Sequence, residues 1–129
     1  MARKKKQYID EPCLVTSIQT KMGREGNTLY DVRLKGLSTD CEYQTWLDTG
    51  FVNYRKWRAV VDTFKVNHPH KGVVVDNLYF KDLDTNLVDA DSQYAITCVA
   101  PIQKIESAVR ELRGEVNKFE DMFYRPREQ

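Results

Sequence analysis

The residues whose types and spacing come nearest to chemistry are His68 and His70, either side of Pro69, and the D-x-D formed by Asp89 and Asp91. Two histidines need a third ligand before they hold a metal, and these stand in VNHPHKG, a turn-forming stretch. A D-x-D can recruit Mg²⁺, but this one adjoins a run rich in Asp and Asn, where a solvated acidic loop is expected. Cys13, Cys41 and Cys98 are odd in number and widely spaced. That suits buried, reduced thiols in a cytosolic chain better than a disulfide framework or a zinc site. The chain has no phosphate-cradling glycine loop, no G-x-S-x-G and no Cys–His pair with a local signature. No catalytic residue, metal or cofactor is therefore expected, and the chemistry on offer is binding.

Two groups of residues are equipped to bind. Lys21, Arg24, Arg33 and Lys35 stand against Glu25 and Asp31 over residues 21–35, a net charge of +2. Tyr30 and Trp46 lie near them. An aromatic platform in a basic groove is how a protein holds a single nucleic-acid strand. Trp46 alternates away from the Tyr43/Leu47 side, which points it to the outer face of its strand; the competing reading packs it under the C-terminal helix. The second group is Val116, Phe119, Met122 and Phe123, followed by Arg125. Clustered aromatic and aliphatic side chains of this kind are interface anchors, and the arginine adds steering towards an acidic partner.

The elements that position these residues centre on Cys41–Phe64. Cys41, Tyr43, Thr45 and Leu47 alternate with Glu42, Gln44, Trp46 and Asp48, the period of a strand. Gly50 breaks it, and Asn53 is the expected N-cap of a helix. Trp57, Val60, Val61 and Phe64 then fall at i, i+3, i+4 and i+7, one helical face that should cover an opening of a curled sheet. Before it, residues 13–21 and 28–35 alternate as two strands joined by the turn MGREGN, a hairpin pattern with Tyr30, Val32 and Leu34 on one face. After it, residues 72–81 read as strand 4, with Val73-Val74-Val75 covered on both sides. Leu87-Val88 begins a short strand, and residues 94–99 form a clearer one.

This order, with a helix between strands 3 and 4, is that of an OB-fold, a five-stranded Greek-key barrel; an SH3-like or other small barrel is the rival. The expected fold is thus mainly β with α, plus a long C-terminal helix. Pro101 opens that helix, and Ile102, Ile105, Val109, Leu112, Val116, Phe119 and Phe123 recur at alternating spacings of three and four, a heptad seam. Pro126 stops it. The expected division is a basic arm over residues 1–7, a barrel over 8–100, and a helix with a tail over 101–129.

The 129 residues carry a net charge of +1, unevenly distributed. Residues 1–10 hold four basic side chains against Asp10, while residues 76–91 hold Lys81 against five aspartates. A dedicated DNA binder is usually more basic. The N-terminus is charged but lacks the apolar stretch of a secretory signal, and no apolar run approaches a membrane span.

Residues 53–57 read Asn-Tyr-Arg-Lys-Trp and are followed by Gly72, Asn77-Leu78 and Ala90-Asp91-Ser92. Over residues 45–92 this pattern resembles small OB-type accessory proteins of T4-like phages, among them proteins that bind the host RNA polymerase. The resemblance implies a phage-encoded, non-catalytic modulator of transcription working in the host cytoplasm; it transfers no site residues. Two functions are thus carried forward: a protein that docks on RNA polymerase or a related replication or transcription machine, and a single-stranded DNA- or RNA-binding OB protein.

Overall fold

The computed structural model describes residues 7–23 and 26–114. Its elements in chain order are β1 (Cys13–Met22), β2 (Thr28–Gly36), β3 (Glu42–Asp48), α1 (Val52–Asn67), β4 (Lys71–Asp76), β5 (Phe80–Asp82), β6 (Leu87–Val88), β7 (Ala95–Pro101) and α2 (Ile102–Gly114). The protein is mainly β, with one sheet in the order β5-β6-β3-β2-β1-β4-β7.

Five strands were expected, and the described residues form seven. Residues 72–81 do not make one strand, and Leu87–Val88 and Ala95–Pro101 each form a strand of their own. Asn77 takes a left-handed φ of 64°, a conformation that asparagine tolerates better than most residues, and it separates β4 from β5. The two halves serve different neighbours. β4 pairs antiparallel with β1, at Cys13↔Val75 and Leu14↔Val74, and with β7 on its other side. β5 pairs with β6, and β6 in turn runs parallel to β3 at Gln44↔Leu87. Between them, the Ile9 N–H donates to Leu78 O at 2.8 Å, the Phe80 N–H donates to Gln7 O at 2.8 Å, and Tyr8 bridges Tyr79. The bent run of residues 71–82 therefore joins the β1 side of the sheet to the β3 side through β6, and the sheet curls.

The curl encloses the core. Val32, Leu47, Trp57, Val60, Val61, Val73 and Val75 have no exposed surface, and they share one cluster with Leu34, Leu78 and Val88. The helical face anticipated from spacing is the face α1 turns inward. The Trp57 indole N–H donates to Ala90 O at 2.8 Å, so the polar tip of the largest core side chain is satisfied. The expected N-cap is corrected: α1 begins at Val52 after an extended Phe51, not at Asn53, and no side chain caps it. Asp48 sets the entry instead. Its Oδ1 accepts the Gly50 N–H at 2.8 Å, and its carbonyl accepts the Phe51 N–H at 2.9 Å, which closes the turn early.

A second cluster lies on the other side of β4, where Val74 and Leu37 meet Ile105 and Ala108 of α2. Val74 thus faces one cluster while Val73 and Val75 face the other, which is why the valine run has no period. Gly72 lets α2 approach: a Cβ there would stand 2.6 Å from Ile105 Cδ1 and 2.8 Å from Leu14 Cδ1. The expected helix over 101–124 is described to Gly114, and the rest of its seam lies outside the described residues. Among the described residues, no helix is long and apolar enough to cross a membrane.

Glu11 is a buried carboxylate just before β1. It accepts hydrogen bonds from the Ser38 N–H at 2.8 Å, the Thr39 N–H at 3.1 Å, the Thr39 hydroxyl at 2.7 Å and the Tyr43 hydroxyl at 2.7 Å. It fastens the β2–β3 turn to the start of β1. Gly36 lies against this carboxyl, where a Cβ would collide with it.

Candidate interaction face

The outer wall of β1, β2 and β3 is built by alternation. Tyr30, Val32 and Leu34 point into the curl, so Asp31 and Arg33 point out. Cross-strand pairing sets Asp31 opposite both Gln19 and Trp46, Arg33 opposite Gln44, and Lys21 opposite Leu29. Asp31 is the hub. Its side chain is only 2% exposed, although it faces outward, because its neighbours close over it. Arg33 Nε lies 3.0 Å from Oδ1 and Nη2 3.3 Å from Oδ2, Lys21 Nζ lies 3.3 Å from Oδ2, and Gln44 Nε2 lies 2.8 Å from Oδ1. Burial by itself would push this carboxyl up. The hydrogen bonds from Arg33, Gln44 and Lys21, with the Arg33 charge, outweigh it and hold the group below its ordinary value. Beside the hub stands Trp46, 39% exposed, with Lys21 Nζ 5.2 Å from its ring centroid.

The residues singled out from sequence are distributed as follows. Lys21, Arg33 and Trp46 come together around Asp31. Lys35 lies toward the other end of β2, opposite Glu42 and 3.3 Å from Asp40. Arg24 lies outside the described residues, as do Val116, Phe119, Met122, Phe123 and Arg125. Trp46 belongs to neither core cluster, whereas the described part of α2 packs on β4 and β7. The described part of α2 does not cover Trp46, and the rest of the expected helix lies outside the described residues. Asp31 was missed as a hub. Its signal was present, since it shares a face with Arg33 in alternation, but nothing local showed that Lys21 and Gln44 would converge on it.

Next to Trp46 is a cleft of about 230 Å³, lined by Thr45, Trp46, Lys81, Leu87, Val88, Asp89, Ala90 and Asp91. Lys56 reaches its rim, with Nζ 2.8 Å from Asp91 Oδ1. The D-x-D spends its first carboxylate on its own backbone, Asp89 Oδ1 accepting the Asp91 N–H at 2.8 Å. Among the described residues no three His, Cys, Asp or Glu are grouped to hold a metal ion. His68 and His70 are exposed, and His68 stacks on Phe64 at 4.4 Å between ring centroids. The cysteines divide: Cys13 is buried, burial pushes the half-buried Cys98 up to about 11, and Cys41 is exposed, contrary to the expectation that all three are buried.

The Asp31 network sets a pH dependence. The carboxyl titrates lower in the folded chain than in the unfolded one, so its stabilisation is complete above the ordinary Asp value and is lost as pH falls through the folded value. Asp31→Asn should cost about 1–2 kcal/mol at neutral pH, a modest figure because its two cations are half exposed. Urea unfolding across a pH series should show the gap between Asp31→Asn and the native chain shrinking below about pH 4. A gap constant down to the acid transition would dismiss the network as a source of stability.

Comparison of the chain with protein-family models, with curated proteins and with solved structures finds no match.

Proposed function

We propose that the chain is a non-catalytic accessory module of OB type that docks on RNA polymerase, or a related nucleic-acid machine, and modulates transcription. Support for the OB reading comes from the pairing path. With residues 71–82 taken as one bent fourth strand and β6 as the fifth, the path is first–second–third–fifth–fourth and back to the first, and β7 is an additional strand on the free side of β4. The helix falls between the third and fourth strands, as in that barrel.

The observation that carries the choice of partner is that the cations of the outer wall are already paired. The cations on which a phosphate chain would rely, Lys21 and Arg33, are both held by one buried carboxylate, and Lys35 is held by Asp40. A phosphate laid there meets Asp31 beneath it and must compete for both cations. A protein surface makes no such demand. The polymerase itself is named by the resemblance over residues 45–92, and the apolar residues Val116, Phe119, Met122 and Phe123, with Arg125, are proposed as additional anchors.

The second reading, single-stranded nucleic-acid binding, is favoured by the exposed Trp46 ring. Gel filtration with purified RNA polymerase, and titration of a single-stranded oligonucleotide between about 0.05 and 0.2 M salt, separate the two. The proposal expects co-elution with polymerase and weak oligonucleotide binding. A chain ending at Gly114 should keep its fold, because Ile105 and Ala108 already bury α2, and should lose polymerase affinity. No co-elution of the full chain, together with tight oligonucleotide binding that falls steeply with salt, would reverse the choice.

A further inference from the structure

We propose that the cleft between β3 and β6 receives one apolar side chain from an extended, basic-flanked peptide segment of the protein partner, with Trp46 as the wall against which that side chain packs. The proposal rests on the reading of the chain as a polymerase-docking module and names the site and the chemistry of the docking.

The sheet leaves room for such a segment. β3 runs to Asp48, but its ladder to β6 is the single pair Gln44↔Leu87. Residues 45–48 therefore continue past the end of that ladder with no strand paired along that side among the described residues. A strand continuing beyond its neighbour offers main-chain groups to an added segment, and a pocket for a side chain beside that edge supplies selectivity. The cleft occupies this place, since Thr45 and Trp46 of β3 form one wall and residues 87–91 the other.

Size and lining narrow the occupant. At about 230 Å³ the cleft is below the roughly 300–1,000 Å³ of pockets that enclose whole small molecules, and it suits one residue. Its apolar surface comes chiefly from Trp46 and Leu87, since Val88 and Ala90 are buried, and polar groups make up the larger part of the lining. Trp46 contributes to neither core cluster; Lys21 lies over its ring on the wall side, and 39% of its surface is left free. A partly exposed tryptophan at the edge of a small recess with a polar rim is the composition of an interface anchor.

Charge decides between a peptide and a nucleic acid. Asp89 and Asp91 stand at the rim, and Asp82 and Asp84 are exposed in the adjoining stretch. Against them are Lys81 and Lys56, the latter paired with Asp91, so carboxylates remain in excess. A phosphodiester would meet an excess of carboxylates, whereas lysine or arginine residues flanking the buried side chain would be drawn to them.

The test measures affinity of full-length variants for purified RNA polymerase, with a single-stranded oligonucleotide as the second arm. Trp46→Ala should weaken polymerase binding by about 30-fold, the usual scale for an aromatic anchor, while Val66→Ala on the exposed side of α1 should change nothing. Lys81→Glu makes the rim more acidic and should tighten polymerase binding by a few-fold at low salt; nucleic acid in the cleft demands the opposite sign. Thermal melts establish that each variant is folded, and Lys81→Glu decides should Trp46→Ala unfold. Native polymerase affinity in a folded Trp46→Ala, or weakened polymerase affinity in Lys81→Glu, overturns the site while leaving the polymerase reading standing. A native chain that fails to bind polymerase overturns that reading and the site with it, and oligonucleotide affinity lost in both variants assigns the cleft to nucleic acid.

Discussion

Trp57→Ala is expected to lower the stability of the folded chain by about 3–5 kcal/mol, the usual range for truncating a buried aromatic. Trp57 has no exposed surface, lies in the main core cluster with Val60 and Val61, and packs against Tyr94 at 5.4 Å between ring centroids. Two costs add. The cavity left by the indole opens inside the curl, where the surrounding strands are tied into one sheet and cannot collapse freely. Ala90 O also loses the donor that reaches it at 2.8 Å. Ala90 belongs to the wall of the cleft beside Trp46, so the loss should also reach the proposed docking site. For a domain of this size the melting temperature should fall by more than about 10 °C. Trp57→Phe should fall less, because it keeps most of the volume and loses only the hydrogen bond. A Trp57→Ala chain that melts like the native one would mean that α1 does not close the sheet.

Glu11→Ala should cost roughly 2–4 kcal/mol through a different mechanism. A buried carboxylate that satisfies two main-chain N–H groups and two hydroxyls is being removed, which leaves the buried Tyr43 hydroxyl without its acceptor and releases the exposed Ser38 and Thr39. The effect should be structural as well as energetic. Glu11 joins the start of β1 to the turn between β2 and β3, so amide exchange at Ser38 and Thr39 should accelerate more than exchange in α1. Glu11→Gln keeps the shape and one acceptor oxygen, and should lose less. If Glu11→Ala and Glu11→Gln match the native chain in denaturant midpoint, the carboxylate contributes nothing and the turn is held by its own backbone.

The periodic elements were legible because their signals are local. Tyr30, Val32 and Leu34 alternate with charged residues, and a strand buried on one face has to alternate in that way. Trp57, Val60, Val61 and Phe64 lie on one side of any helix drawn through them, and burying that side is what makes a short helix stable. The valines at 73–75 announced a strand covered twice. The basic residues and the aromatic of the outer wall could also be named in advance, because alternation alone says which side chains leave the core.

Tertiary structure decided what those side chains do. Glu11 stands in an ordinary acidic stretch, and only the approach of residues 36–43 turns it into a buried hub. Asp31 becomes the hub of the basic wall because Lys21 and Gln44 arrive from β1 and β3, a convergence that depends on strand register. The break at Asn77 has a local cause, yet the assignment of β4 to β1 and β7, and of β5 to β6, depends on pairings between distant parts of the chain. Trp46 looked equally able to pack under α2 or to stand free. Gly72, far along the chain, lets the described part of α2 lie close on β4, while Trp46 stands beside the end of the β3–β6 ladder. Periodicity is set by neighbours within a few residues, whereas burial, charge pairing and exposure depend on which surfaces meet, and that is determined only when the sheet curls and closes over its core.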